Sequence, residues 1–294
     1  MNMQITKSIR KHVGKAKVLG GFLRNSLVFK LKRQALRPRY WFNKVSLVVV
    51  DMDGTLFDGD AGHMGLRYAY PDKIDHSTIG DVLYEGILHK LSAGTTTVEE
   101  TILDGNRLLQ YRGLTKKDIQ KVMHTMWPSL RVELIHALAD LKKQHNLKIV
   151  LATLSSAEFA RMANEKIRND YGFAFDAVIG TQLSFDTKGK MTGVKKILGL
   201  KNGTIRGTKC QTKLSAIKEL CKEKKWPFTM NQTVLITDSY GDIDMAKHVK
   251  TILLVPEKPT TVQAVASKYK LADKLVPTNH QLKKNLLALF TEKK

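Results

Sequence analysis

The chain has 294 residues, enough for one large core or for a core domain with a smaller companion. Hydrophobic residues make up 43% and charged residues 26%, a balance that excludes wholesale disorder. Lys and Arg number 49 against 27 Asp and Glu, and the resulting net charge of +22 favours anionic substrates, nucleic acid or anionic lipid as partners.

Residues 1–44 hold seven Lys, five Arg and no acid, so more than half of that net charge sits in this stretch. Ile5, Ile9 and Val13, then Leu19, Leu23, Leu27 and Leu31, recur every fourth residue between basic side chains. This spacing predicts a basic amphipathic helix over 1–35, divided at Gly20-Gly21, ended by Pro38 and followed by the cluster Tyr40-Trp41-Phe42. Three roles suit it: packing on its own protein or a second subunit, contact with an anionic membrane, and, less well, nucleic-acid contact. Arg24, Asn25 and Lys30 interrupt residues 18–31, so they do not read as a signal peptide, and no run reaches the roughly 18 apolar residues of a membrane span. Cys210 and Cys221 are too few for a disulfide framework. The expectation is a cytoplasmic protein, with or without peripheral attachment at the inner face of a membrane.

Residues 45–50, Val-Ser-Leu-Val-Val-Val, form an apolar run suited to a buried parallel strand. From 59 to 128 the pattern turns helical, with helices predicted over 82–91, 98–110 and 116–126. An alternation follows: helix 131–144, strand 148–152, helix 157–170, strand 177–180, a helix from Lys213, strand 233–237, helix 242–249, strand 251–255 and helix 260–269. A small hairpin around Lys188-Gly189-Lys190 is predicted over 185–192. The series implies an α/β fold: a Rossmann-like parallel sheet with helices on both faces and a small helical cap inserted after the first strand. The domains expected are an extension at 1–44, a core at 45–58 and 129–294, and a cap at 59–128.

Ligands of an open parallel sheet bind beyond the carboxyl ends of its strands, and the acids gather there. Asp51-Met52-Asp53-Gly54-Thr55-Leu56 follows the first predicted strand, and Asp238 and Asp242 follow the strand at 233–237. Thr153 and Ser155 follow the second strand, and Lys213 opens a later helix. Carboxylates brought together repel unless a divalent cation neutralises them, so the cluster predicts Mg²⁺ beside a phosphate pocket. Asp51 is then placed to attack phosphorus, Asp53 to move a proton, Gly54 to let backbone amides approach phosphate, and Thr153 and Lys213 to hold it. The histidines show no ligand spacing.

These motifs resemble the haloacid dehalogenase superfamily of phosphatases, and within it the branch containing phosphoserine phosphatase. The matching pieces, in order, are Asp51-Met52-Asp53-Gly54-Thr55, Leu151-Ala152-Thr153, Lys213, and Asp238-Ser239-Tyr240-Gly241-Asp242, with 177–193 also similar. The resemblance runs from about Val45 to Val276 and leaves out residues 1–44. It implies Asp51 as nucleophile, Asp53 as general acid and base, and Thr153 and Lys213 on the transferring phosphoryl group; Gly54, Asp60 and Ser155 are expected to contact substrate. It also implies Mg²⁺ on Asp51, the main-chain carbonyl of Asp53 and Asp238, with Asp242 close by. Asp60 falls where phosphoserine phosphatases carry an acid for the substrate amino group. Two positions have rivals: Asp244 for Asp242, and Lys209 for Lys213. The substrate implied is a small phosphometabolite or a membrane-associated phosphate. The alternatives are a phosphotransferase and a non-enzymatic binding module, although a degenerate relative would be expected to lose Asp51 or Asp53 and neither is lost.

Overall fold

The computed structural model describes residues 45–255 and 272–290. The helices predicted over 1–35 and 260–269 and the aromatic cluster at 40–42 lie outside the described residues. The strands are β1 (Leu47–Val50), β2 (Lys73–Ile74), β3 (Ser77–Thr78), β4 (Lys148–Ser156), β5 (Ala177–Phe185), β6 (Met191–Gly199), β7 (Gly203–Ile205), β8 (Thr208–Thr212), β9 (Thr233–Thr237), β10 (Lys250–Val255) and β11 (Lys274–Pro277). The helices are α1 (Ala61–Ala69), α2 (Ile79–Ser92), α3 (Val98–Tyr111), α4 (Lys116–Met126), α5 (Val132–His145), α6 (Ala157–Tyr171), α7 (Lys213–Lys224), α8 (Ile243–Ala246) and α9 (Leu282–Leu287).

Among the described residues, nine strands form one sheet in the order β11-β10-β9-β1-β4-β5-β6-β8-β7. The half from β11 to β5 is parallel, and antiparallel pairing enters only between β5 and β6 and between β7 and β8. β1 lies between β4 and β9, with Val48 beside both Ile149 and Val234. The carboxyl ends of these three strands therefore deliver Asp51, Thr153 and Asp238 to one edge.

The unbroken apolar run of β1 follows from burial on both faces. Val48 and Val50 join Ile149, Leu151 and Ile236 in one core, under α5, α6 and α9. Leu47 and Val49 join Val150, Ala152 and Leu235 in a second core, under α7 and α8. All four residues of β1 are at most 1% exposed, and full burial of such a side chain contributes roughly 1.5–3 kcal/mol.

Helices α1 to α4 occupy the stretch between β1 and α5. Three of them start on a capping box, Thr78 with Asp81, Thr97 with Glu100 and Thr115 with Asp118, which satisfies amides that a helix start leaves unpaired. α2 therefore begins three residues before the predicted start at 82. Where α1 crosses α2, a Cβ on Gly80 would collide with the backbone of Leu66 and Arg67, so only glycine fits. The helical stretch is tied to the sheet at several places. Buried Glu99 accepts hydrogen bonds from the amides of Leu200 (2.6 Å) and Lys201 (2.8 Å) just past β6. The turn between β5 and β6 meets the start of α4, where the Lys116 amide donates to the carbonyl of Gly189 at 3.0 Å and that of Met191 to Leu114 at 2.8 Å.

Several boundaries differ from expectation. The hairpin predicted over 185–192 is only the tip of a larger one, because β5 and β6 are nine residues each and pair with each other across the main sheet. β4 also extends past 152, with a register shift between Ala152 and Ser156. The helix predicted over 242–249 shrinks to α8, since Asp242 holds a non-helical backbone after a 3-10 turn at Tyr240–Asp242. Among the described residues no helix is long and apolar enough to cross a membrane.

Candidate active site

The loop after β1 turns sharply. Gly54 has φ +72°, and a Cβ there would collide with the Asp238 carboxylate, so the close approach of the two acidic loops requires glycine. Its amide donates to the carbonyl of Gly59 at 2.9 Å and is engaged within the loop, whereas the sequence suggested backbone amides facing phosphate at this position. Arg131 holds the outer side of the loop, with Nη2 donating to the Gly54 carbonyl (3.1 Å) and to Asp58 (2.8 Å).

Lys213, the first residue of α7, reaches the centre of the site because Thr212 caps that helix and fixes its entry. Its ammonium donates to Oδ1 of Asp51 at 2.6 Å and also touches the Asp242 carboxylate. Burial alone would lower the pKa of Lys213, but Asp242 and Asp51 outweigh it and hold the group above the usual lysine range. Burial pushes the Asp51 carboxyl well above the carboxylate range; Lys213 opposes that shift, and Asp242, Asp238 and Asp53 add to it. Asp242 is buried, and neither of its carboxylate oxygens receives a well-formed hydrogen bond.

Asp53 is held from two sides: Oδ1 accepts from the Ala61 amide at 2.7 Å and Oδ2 from the Thr153 hydroxyl at 2.9 Å. Burial, followed by the nearby Asp60 charge, pushes Asp53 up to about 7, against the opposing hydrogen bonds of Ala61, Ser155 and Thr153. Thr153 is positioned in turn by the Ser155 amide, which donates to its Oγ1 at 2.9 Å. Burial raises Asp238 to about 6 although Thr55 donates to it at 3.1 Å; the same hydroxyl lies 3.5 Å from Oδ2 of Asp51.

The structure thus brings together Asp51, Asp53, Gly54, Thr153, Ser155, Lys213, Asp238 and Asp242. Two rivals stand apart. Asp244 turns toward α7, accepting from the Leu214 amide at 3.2 Å, and Lys209 is exposed on β8 beside Lys196. Asp60 lines the same cavity, but it caps α1 by accepting from the His63 amide (2.7 Å) and also accepts from the Tyr84 hydroxyl (3.0 Å). Sequence reasoning assigned no role to Thr55, which bridges the two acidic loops, or to Arg131 and Tyr84. Thr55 had a signal, since it stands in the quoted motif; Arg131 and Tyr84 had none, because only the fold brings them to the loop.

The donor set fits a hard cation. Four carboxylates share this end of the sheet with one ammonium; burial is the main cause of the upward shifts at Asp51, Asp53 and Asp238, and neighbouring carboxylates add to each. Among the described residues no three Asp, Glu, His or Cys side chains are grouped to hold a metal ion on their own. A cation here would therefore also draw on main-chain, water or phosphate oxygens, as Mg²⁺ commonly does.

The sequence profile of the haloacid dehalogenase-like hydrolases matches residues 48–247. The chain belongs to this family. The fold is that of phosphoserine phosphatase-like haloacid dehalogenase proteins. A phosphoserine phosphatase studied as a phospho-aspartyl intermediate analogue is 17% identical over 79% of this chain and 93% of its own, with a TM-score of 0.54. A haloacid dehalogenase-family hydrolase of Salmonella enterica serovar Typhi is 14% identical over 88% of this chain and 75% of its own, with a TM-score of 0.59. Cytosolic 5′-nucleotidase IIIB, bound to cytidine, is 15% identical over 84% and 85%, with a TM-score of 0.55. No curated protein sequence is significantly similar to this haloacid dehalogenase-like hydrolase.

Proposed function

We propose that this haloacid dehalogenase-like hydrolase cleaves phosphate monoesters with Asp51 as its nucleophile. The observation that carries the reading is the pairing of two carboxylates with different surroundings: Asp51 held on Lys213 and Asp53 held by Thr153 and the Ala61 amide. An Asp51 oxygen attacks phosphorus, and the ester oxygen leaves with the proton carried by Asp53, giving an aspartyl-phosphate. Water then attacks that phosphorus while Asp53 takes its proton, and phosphate departs with Asp51 restored. A group poised at about 7 suits both proton transfers at neutral pH. Lys213 and Thr153 steady the phosphoryl oxygens.

Mg²⁺ would be held by Asp51, the main-chain carbonyl of Asp53 and Asp238, with Asp242 beside it, and supplies the positive charge that lets anionic phosphate approach four carboxylates. Residues 59–128 act as a cap that excludes water during the first step. The substrate is a small phosphometabolite or a membrane-associated phosphate. Release of phosphate from p-nitrophenyl phosphate with Mg²⁺, compared between the parent and Asp51→Asn, tests the reading: activity is expected in the parent alone. Equal background in both would point to a non-enzymatic binding module.

A further inference from the structure

The acidic site forms the floor of a cavity of about 640 Å³, far larger than a phosphate group needs and within the range of ligand pockets. Its upper wall is built by α1, α2 and α3 and is largely hydrocarbon: Leu66, Ile87, Leu88, Ile102 and Leu109 all face it. On α3 the spacing Val98, Ile102, Gly105 and Leu109 forms one stripe toward the cavity, while Glu99 and Leu103 face the sheet.

Each polar side chain on that wall makes at least one contact within the protein. Thr101 donates to the Thr97 carbonyl at 2.8 Å and Asn106 to the Ile102 carbonyl at 2.8 Å. His63 lies 2.7 Å from Asp81 and stacks on Tyr84 with ring centroids 4.3 Å apart, and the Tyr84 hydroxyl donates to Asp60. Among the described residues lining the cavity, Lys213 is the only Lys or Arg, and it is committed to the floor. A carboxylate or second phosphate on the leaving group would be desolvated there without a counter-charge, which is strongly unfavourable. Hydrocarbon meets no such penalty.

Gly105 gives a second, independent pointer. It sits mid-helix, where glycine is disfavoured, and the nearest atom to a Cβ built on it is Cδ1 of Ile87 at 4.0 Å. No packing collision within the protein explains the glycine. It leaves room on the cavity side.

We propose that the substrate is the phosphate monoester of an uncharged alcohol with a hydrocarbon body, whose chain fills the space between α1, α2 and α3 while its phosphate rests on the acidic floor. This rests on the phosphatase reading above and narrows its substrate class. Free soluble esters and lipid phosphates share the chemistry.

The test compares ethyl phosphate, hexyl phosphate and phosphoserine on the full chain with Mg²⁺. It also follows the melting-temperature shifts given by ethylphosphonate and hexylphosphonate, which cannot be cleaved. Hexyl phosphate is expected to exceed ethyl phosphate by at least about ten-fold in kcat/KM, since each buried methylene favours the bound state. Phosphoserine is expected to fall below both. Gly105→Leu, which fills the wall with a better helix former, should cost the hexyl ester at least about ten-fold more than the ethyl ester and reduce the hexylphosphonate shift. Equal rates along the series, a preference for phosphoserine, or equal losses in Gly105→Leu would overturn the inference and leave the phosphatase reading standing. Failure to cleave any ester, with hexylphosphonate still binding more tightly than ethylphosphonate, would overturn the phosphatase reading and leave the cavity as a site for apolar phosphates. A dodecyl ester offered free or in phosphatidylcholine vesicles separates the two sources, because cleavage confined to vesicles marks a lipid substrate.

Discussion

The Lys213 ammonium lies 2.6 Å from Oδ1 of Asp51, and the same ammonium touches Asp242, all three side chains being buried. One cation thus serves two carboxylates. Lys213→Met removes it and strands both acids. Breaking a buried pair in this way costs about 3–5 kcal/mol, so a large drop in melting temperature is expected at neutral pH. At pH 5 the drop should shrink, because Asp51, already pushed upward by burial, takes up a proton when its partner is gone. Thermal unfolding at the two pH values checks this, and an equal loss at both would refute it.

Gly54→Ala tests the convergence of the acidic loops. The new methyl group would collide with the Asp238 carboxylate, and φ +72° is unfavourable for any side chain. The backbone conformation alone costs roughly 1–2 kcal/mol and the collision adds to it. Lower stability and lost phosphatase activity are expected together, measured by denaturant unfolding and phosphate release. Wild-type activity in this variant would show that the loops do not meet as described.

Stability of the metal-free protein should fall as pH rises through the acid-to-neutral range. Asp53 is raised to about 7 and Asp238 to about 6, so between the ordinary carboxylate value near 3.8 and those values the folded state holds protons that the unfolded state has lost. Their contribution is present below that window and lost as pH climbs through it. In EDTA, the slope between pH 5 and pH 8 should be shallower for Asp53→Asn than for the parent. Adding Mg²⁺ should raise the parent's melting temperature more at pH 8 than at pH 5, since a cation binds the ionised acids. A shift that is larger at pH 5 would contradict the assignment.

Glu99 offers a test of how the helical stretch is fixed to the sheet. Glu99→Ala leaves the amides of Leu200 and Lys201 without their acceptor and opens a hole between α3 and β6, at an expected cost of about 2 kcal/mol or more. Glu99→Gln keeps one acceptor and should lose less. Hydrogen exchange should show the two amides among those most affected in Glu99→Ala; unchanged protection there would disprove the contact.

Asp51 and Asp238 were legible because each directly follows an apolar strand, and β1 reads unambiguously as a strand buried on both faces. Lys213 was legible for a local reason, Thr212 being a good helix cap. β7 and β8 were not, because Gly203 to Thr212 is polar and half exposed and so lacks an alternating pattern. α1 was hidden by Gly62 and Gly65, glycines that weaken a helical pattern; Gly65 faces Leu109, whose side chain lies 3.5 Å from the Cβ position. Asp60 shows the limit most clearly. It lines the cavity, but its capping of α1 and its bond to Tyr84 depend on where two helices happen to start and cross.

The placement of β1 between β4 and β9 has a kinetic consequence. Val48 must find Ile149 and Val234, partners far along the chain, before the loop that bears Asp51 has walls on either side. Closing such long loops is slow, and during synthesis the second neighbour has not yet been made when the first is already available. The full set of converging acids therefore cannot assemble until β9, which carries Asp238 at its end, has been made.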